Sequence, residues 1–440
     1  MPLFQQVSGA AARPSFPRIL AMNAPSVPLR QVTIVGAGIV GMSTALQLQR
    51  AGCAVTVIDR VAPGESCSRG NAGILATYGM VPLSTPGFIW KVPSMLTDPL
   101  GPLAMRWRHV PKMLPWMISF LRASRPVEVE RIAAALAQLT RTTVEAHLAQ
   151  VAGTRAAALA QPTPLLCVYP DEATYQADQY VWNLRQQHGT RIHTLRDGAV
   201  REMEPAVAER FRFGVVMENC GYSPDPFALV QALAEHFVEF GGRVLRHEVR
   251  DVVVGAEGPV ALMTEAGQLP VSDLVVCGGV WSGELSRRLG SPVPLEAERG
   301  YHVTLQRHTG DAPRYPVMSP AQKMLTTPMR GGLRAAGLVE FAGLRAPPDY
   351  RRARTLLKHL RTLFPRIEAQ AHTEWMGHRP SLPDSMPVIG RSPHFRNVFY
   401  GFGHQHIGLT CAPGTATALT DLVLGRSPAI DLTPFRIDRF

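Results

Sequence analysis

Three glycines, Gly36, Gly38 and Gly41 in VGAGIVG, and a carboxylate at Asp59 carry the clearest chemistry in the sequence. A tight turn at Gly36, bare backbone at Gly38 and close helix–strand packing at Gly41 together suit the pyrophosphate of a dinucleotide. A helix beginning there would offer unpaired N–H groups and positive partial charge to the phosphates. Asp59 follows at the distance, roughly 20 residues, at which an acid accepts hydrogen bonds from an adenosine ribose. It would repel a 2′-phosphate, which disfavours NADP.

These residues need a strand, a turn, a helix and a second strand to position them, and the surrounding sequence supplies all four. QVTIV (31–35) is β-branched, residues 39–50 suit a helix closed by Ala51-Gly52, and CAVTVID (53–59) reads as a second strand. A nicotinamide-binding domain would continue with further βα repeats. Here a Gly-, Ser- and Asn-rich loop (63–78) follows instead, and strand-like sequence ending in glycines returns only at Leu274 to Gly279. The pattern predicts a nucleotide domain assembled from separated segments, with an extended ligand crossing into a second domain. Alanine-rich sequence from Val127 to Leu159 reads as one long helix, LLCVY (165–169) as a strand, and 171–188 as a helix capped by Asp171. A basic helix (349–364) and a closing helix ending near Leu424 complete the outline.

The chain has 440 residues, enough for two domains, and its 46% hydrophobic and 18% charged content describes a globular protein. Six cysteines show no CxxC and no paired spacing, so neither a zinc site nor a secreted disulfide framework is expected, and a cytoplasmic setting fits. Residues 1–30 read as a disordered, proline-rich tail with Met22 as a candidate start. Net charge is +11, which is compatible with nucleic acid, an acidic membrane surface or an anionic ligand. No nucleic-acid recognition motif accompanies it, so nucleic acid is not an expected partner. His404 and His406 lack a neighbouring Cys or carboxylate at ligand spacing, and no metal is assigned to them.

Several segments in order from Gln31 to Phe440 resemble the FAD-dependent D-amino-acid dehydrogenases, within the wider D-amino-acid oxidase, glycine oxidase and sarcosine oxidase family. They are IVGAGIVGMSTALQLQRAGCAVTVID, PGESCSRGNAGIL, LVVCGGVWS, ERGYHVTL, TPMRGGLRAAGLVEFAG and GHRPSLPDSMPVIG…YGFGHQHIGLT. The first fits many flavoproteins; the last two together are much more specific. The implied fold class is α/β: a Rossmann-like FAD-binding domain from 31–85, 225–285 and 385–440, and an antiparallel-sheet substrate domain from 86–224 and 286–384.

The resemblance implies that Gly36, Ala37, Gly38, Ile39, Val40 and Gly41 surround the pyrophosphate, that Asp59 holds the ribose and that Arg60 adjoins the cofactor. It places Ser68, Asn71, Ala72, Gly73 and Leu75 along the pyrophosphate, ribityl chain and flavin edge, Val249 at adenine, and Gly278 and Trp281 beside the dinucleotide. Gly403, His404, Ile407, Gly408, Leu409 and Thr410 would face the flavin N1/C2=O side. A helix start there would set positive partial charge where reduced flavin gains negative charge. Covalent-flavin relatives carry a cysteine near GHRP, and none occurs between Gly377 and Gly390, so non-covalent FAD is implied.

Arg379 resembles the arginine that grips the substrate carboxylate, a task that suits a planar, permanently charged guanidinium. Tyr301 resembles a residue near substrate, with a core tyrosine as the alternative, and His404 would hydrogen-bond near the flavin. The implied reaction is hydride transfer from Cα of a D-amino acid, cyclic ones such as D-proline or D-hydroxyproline included, to flavin N5, with no acid–base residue assigned. A glycine- or sarcosine-type oxidase using O2 is the alternative in the family. A nicotinamide-dependent dehydrogenase and a non-catalytic nucleotide-binding protein are the readings from other classes. Residues 86–126 combine Trp90, Trp107 and Trp116 with Lys91, Arg106, Arg108, Lys112, Arg122 and Arg125. That mixture suggests peripheral docking on an anionic inner-membrane surface and a quinone or other electron carrier as acceptor, with a solvated basic face as the alternative.

Overall fold

The computed structural model describes residues 30–87, 101 and 103–440. β1 (Gln31–Val35), α1 (Ile39–Arg50) and β2 (Ala54–Asp59) form the βαβ unit. Their strands sit inside a six-stranded sheet ordered Arg243–Arg246, β2, β1, Asp273–Val276, Val398–Phe402, Val388–Arg391, parallel except for the last pairing. Strands from four separated stretches of chain thus complete one nucleotide-type sheet. Ile34, Val57, Val275 and Phe399 are fully buried in it. Continuous apolar strands of this kind belong to a sheet covered on both faces.

α1 buries most of its length between this sheet and the closing helix Gly408–Val423. The predicted helix over 127–159 is instead two helices, Pro126–Thr140 and Thr143–Val151, and a 3-10 turn at Ala157–Leu159. Threonines at 140, 142 and 143 disfavour a continuous helix. The second helix is also held by tertiary bonds: Thr143 Oγ1 donates to Thr410 O at 2.7 Å, and His147 Nε2 donates to Leu409 O at 2.8 Å. Val129, Ile132, Leu136, Val144 and Val151 therefore join the core of α1 and the closing helix. Residues 126–151, expected in the substrate domain, thus pack against α1 and the closing helix of the nucleotide-binding part.

The helix expected over 171–188 is likewise two, Glu172–Gln176 and Gln179–Gln187, with Asp171 accepting the Thr174 N–H at 2.8 Å as cap. A second, nine-stranded sheet contains the long strands Glu296–Thr309, Gly332–Phe341 and Glu368–Ser381. It is mainly antiparallel, with parallel pairings between 317–318 and 166–167 and between 339–341 and 103–105. Glu296–Thr309 and Glu368–Ser381 pair in register with Glu298 opposite Arg379, Gly300 opposite Gly377 and His302 opposite Trp375. Side chains alternate along a strand, so these six share one face. The other face carries Tyr301, Val303 and Leu305 into a core with Leu356, Leu360 and Leu363 of the helix Arg351–Leu363.

Candidate active site

A cavity of about 410 Å³ opens at the carboxyl ends of β1, β2 and the strand Asp273–Val276, where open α/β sheets bind ligands. Gly36 has φ +114°, and a side chain there would run into the Cys277 carbonyl. Gly41 is needed for a different reason: a Cβ would fall on the Gly36 carbonyl oxygen. At Gly38 the nearest neighbour of such an atom is Ser68 Oγ at 3.6 Å, so this glycine presents bare backbone to the cavity. The turn is locked from both sides, with Ala37 N–H donating to Asp59 Oδ2 at 2.7 Å and Ile39 N–H donating to Ser68 Oγ at 3.0 Å.

Gly36, Gly38, Ile39, Val40, Asp59 and Arg60 all line this cavity, as do Ser68, Asn71, Val249, Gly278 and Trp281. The Arg60 guanidinium lies 3.8 Å above the Trp281 ring centre. Gly403, His404, Gly408 and Leu409 line the far end, where the closing helix begins without a side-chain cap. Ala37, Gly41, Ala72, Gly73, Leu75, Ile407 and Thr410 stand behind the wall. Gly73 takes φ +80° and donates to Asn71 Oδ1 at 2.7 Å, while Thr410 Oγ1 accepts the Ala76 N–H at 3.0 Å and so ties the 74–76 segment to the closing helix.

Arg334, which sequence reasoning passed over, anchors the same loop. Its Nη1 donates to Asn71 O at 2.6 Å and its Nε to Thr304 Oγ1 at 3.3 Å; burial draws its pKa down to about 10. Replacing it with methionine leaves the Asn71 carbonyl without this donor, and a bond from a charged donor is worth about 1.5–3 kcal/mol. FAD affinity of Arg334→Met, measured by flavin fluorescence, is expected to fall at least tenfold with the melting temperature of the apoprotein shifting by only a few degrees.

The face of the second sheet that carries Glu298, Gly300, His302, Trp375, Gly377 and Arg379 meets the loop 66–73. His302 Nδ1 donates to Gly70 O at 3.0 Å and its ring stacks on Trp375 at 5.1 Å; burial, with Arg334 adding to it, drives its pKa down to about 3, so it is neutral. The Trp375 ring occupies the space in which side chains at Gly70 and Gly377 would stand, and the Arg379 guanidinium lies over Gly300. Arg379 Nη1 donates to Glu298 Oε1 at 2.8 Å. Cys67, on the cavity wall, donates its thiol hydrogen to His378 O and lies within electrostatic reach of both Arg379 and Glu298.

Two side chains expected to be catalytic are engaged in other contacts. Tyr301 is 1% exposed, on the opposite face of its strand, with its hydroxyl donating to Glu340 Oε2 at 2.6 Å and accepting from Asp349 N–H at 3.0 Å. It is a core tyrosine with both hydrogen bonds made. The His404 ring is turned into the closing helix, its Nε2 2.9 Å from Thr415 Oγ1, and burial lowers its pKa to about 3. It orders the loop and is uncharged near neutral pH.

The chain matches the FAD dependent oxidoreductase family over residues 31–422. It belongs to that family. Similar curated proteins include a D-amino-acid oxidase of Bradyrhizobium diazoefficiens, 39% identical over 93% of this chain and 99% of its own length. A D-amino acid dehydrogenase of Paramagnetospirillum magneticum is 30% identical over 93% of this chain and 99% of its own. Glycine oxidase from Geobacillus kaustophilus (TM-score 0.70, 21% identity, 93% of this chain and 99% of that one) and L-proline dehydrogenase from P. horikoshii (0.70, 16%, 94% and 98%) share the fold. FAD is therefore the cofactor, and the cavity has the features it requires. A helix N-terminus faces a bare glycine turn, an acid ends β2, and Ser282 Oγ on the wall is buried with no partner among the described residues.

Proposed function

We propose that this protein oxidises D-amino acids, cyclic ones such as D-proline and D-hydroxyproline among them, binding their carboxylate through Arg379. The observation that carries this reading is the Arg379 guanidinium laid across Gly300, beside the wall that Cys67 and His378 give to the cofactor cavity. The D-amino-acid oxidase and D-amino acid dehydrogenase names of the relatives support the substrate class. Bound FAD supplies the two-electron acceptor for the hydride that leaves Cα.

The chain's own work is to hold, orient and shield. Gly38 and the first turn of α1 take the pyrophosphate on backbone N–H groups, Asp59 takes the ribose, and the start of the closing helix sets positive partial charge at the ring end of the cavity. Arg379 fixes the substrate by two parallel bonds to its carboxylate, so positioning supplies most of the rate. Trp375 covers Gly70 and Gly377 and keeps water off that side. The imino product of an open-chain substrate hydrolyses to a 2-oxo acid and ammonia, whereas a cyclic substrate leaves as the cyclic imino acid.

The acceptor beyond FAD is read as a quinone or another carrier met at a membrane surface. In the helix Val110–Ala123, Met113, Trp116 and Phe120 face inward, and Trp116 Nε1 donates to Ser381 O at 3.3 Å, so this tryptophan belongs to the core rather than to an interfacial belt. Trp90 and Lys91 lie outside the described residues, and Arg106 is held by Glu340. The outer side nonetheless exposes Leu114 and Ile118, each 50% exposed, near Trp107 and Val127, each 75% exposed, with Arg108, Lys112, Arg122 and Arg125 at the surface. Apolar side chains among cations suit an anionic bilayer interface. Among the described residues no helix is long and apolar enough to cross a membrane. Flotation with phosphatidylglycerol vesicles at low salt is expected to carry the wild type upward and leave Leu114→Asp/Ile118→Asp behind; equal flotation of both would remove this surface.

A panel of D- and L-amino acids, glycine and sarcosine, assayed with an artificial electron acceptor and separately for peroxide in air, tests the reading. D-amino-acid turnover with the dye and little peroxide supports it. Peroxide release at the same rate assigns oxygen as acceptor, and turnover restricted to glycine or sarcosine overturns the substrate class.

A further inference from the structure

Glu298 is the group on the substrate-facing sheet that the reading above leaves without a task. It stands directly across from Arg379 in the pairing of the two long strands and is 1% exposed. Its Oε1 accepts from Arg379 Nη1 at 2.8 Å, while its Oε2 is buried and has no hydrogen-bond partner among the described residues. A buried carboxylate oxygen without a donor is an expensive arrangement. Were Glu298 present only to hold the guanidinium, both oxygens could face it, as the two oxygens of Asp384 face Arg439. One oxygen is held back.

We infer that Glu298 is a specificity-determining residue that receives the amino group of the substrate on Oε2 while Arg379 receives the carboxylate. An α-amino acid carries an anionic and a cationic group on one carbon, and a guanidinium beside a carboxylate is the complementary arrangement. Glycines opposite one another at 300 and 377 let the Arg379 guanidinium and the Trp375 ring lie flat over the paired strands. Cys67 on the cavity wall lies within electrostatic reach of both Arg379 and Glu298, and the pair shares its sheet face with His302 and Trp375, which meet the loop at Gly70. The same carboxylate explains how Arg379 is kept extended over Gly300 before substrate arrives.

This inference rests on the D-amino-acid reading, and its test separates the two. With the FAD-loaded enzyme, the KM of D-alanine and the inhibition constant of propanoate, which has the carboxylate and no amine, are compared between wild type, Glu298→Gln and Glu298→Asp. Glu298→Gln is expected to raise the KM at least 30-fold and leave the propanoate constant within about twofold; Glu298→Asp, which keeps the charge, should recover part of the loss. A residue acting only through Arg379 would weaken both ligands in the same proportion, and that result, or no change in either, overturns the inference. If Glu298→Gln fails to retain FAD, the Glu298→Asp ratio alone decides: a KM and an inhibition constant that rise together contradict it. Wild-type enzyme that oxidises no D-amino acid overturns the reading of function instead.

Discussion

Gly41→Val is expected to yield a protein that no longer retains FAD, with an affinity loss on the order of 100-fold, whereas Gly38→Ala folds normally and loses affinity only through the ligand. The difference follows from what each missing side chain would meet. At Gly41 the new atom lands on the Gly36 carbonyl oxygen, a backbone group bound into the turn, because Gly36 N–H is itself fixed to Ile58 O at 2.8 Å. Nothing there can move without prising α1 from β1, and overpacking of a tight core contact costs about 1–3 kcal/mol or more. At Gly38 the nearest protein atom would be 3.6 Å away, an ordinary contact, so the apoprotein tolerates the methyl group. The methyl group nonetheless stands in the cavity where a pyrophosphate must approach. Thermal melting of the apoproteins and FAD titration separate the cases: Gly41→Val should lose both, Gly38→Ala affinity alone. Equal melting temperatures for the two would show that the β1–α1 contact matters less than the geometry implies.

Arg379→Ala is expected to lower kcat/KM for D-amino acids by roughly 10²–10³-fold while the protein stays yellow. Removing one partner of a buried ion pair costs about 3–5 kcal/mol, because the other charge stays buried and unanswered. Here that charge is Glu298, so a fall in melting temperature accompanies the kinetic loss. The residues nearest the nucleotide are untouched, and FAD binding should persist. Arg379→Lys keeps the charge and loses the two-pronged geometry, so it should fall between the two. Affinity for a simple carboxylate inhibitor that survives unchanged in Arg379→Ala would remove the arginine from substrate binding.

The nucleotide half of the site was legible in the sequence because its determinants are local. A strand, a glycine turn, a helix and an acid lie within thirty residues, and Gly41 answers a contact inside that unit. The substrate half was not, because it is assembled by strand pairing across some 80 residues. Which face of the strand Glu296–Thr309 meets the loop 66–73 decides everything there. Tyr301 and Glu298 differ by an odd number of positions and so point in opposite directions. Choosing the tyrosine selected the core face, packed on Leu356 and Leu360, and missed the carboxylate opposite Arg379. One signal was available: Gly300 and Gly377 make sense in mid-strand only if something large lies over them, and the residues two away on the same face are Glu298, His302, Trp375 and Arg379.

The contacts of His404 and of the 126–151 helices likewise depend on partners distant in sequence. The partner of His404 is Thr415, within the closing helix and eleven residues away in sequence. Alanine-rich helices carry no mark of which sheet they cover; only the bonds from Thr143 and His147 to the carbonyls of Thr410 and Leu409 reveal it.

The central claim is that FAD in this cavity takes two electrons from a D-amino acid held by Arg379. Anaerobic titration of the purified protein with D-alanine, followed in the visible spectrum, tests it most directly. The account predicts a flavin spectrum that bleaches stoichiometrically for the wild type and stays oxidised over the same range for Arg379→Ala. A colourless protein that takes up no FAD, or a variant that bleaches as readily as the wild type, would contradict it.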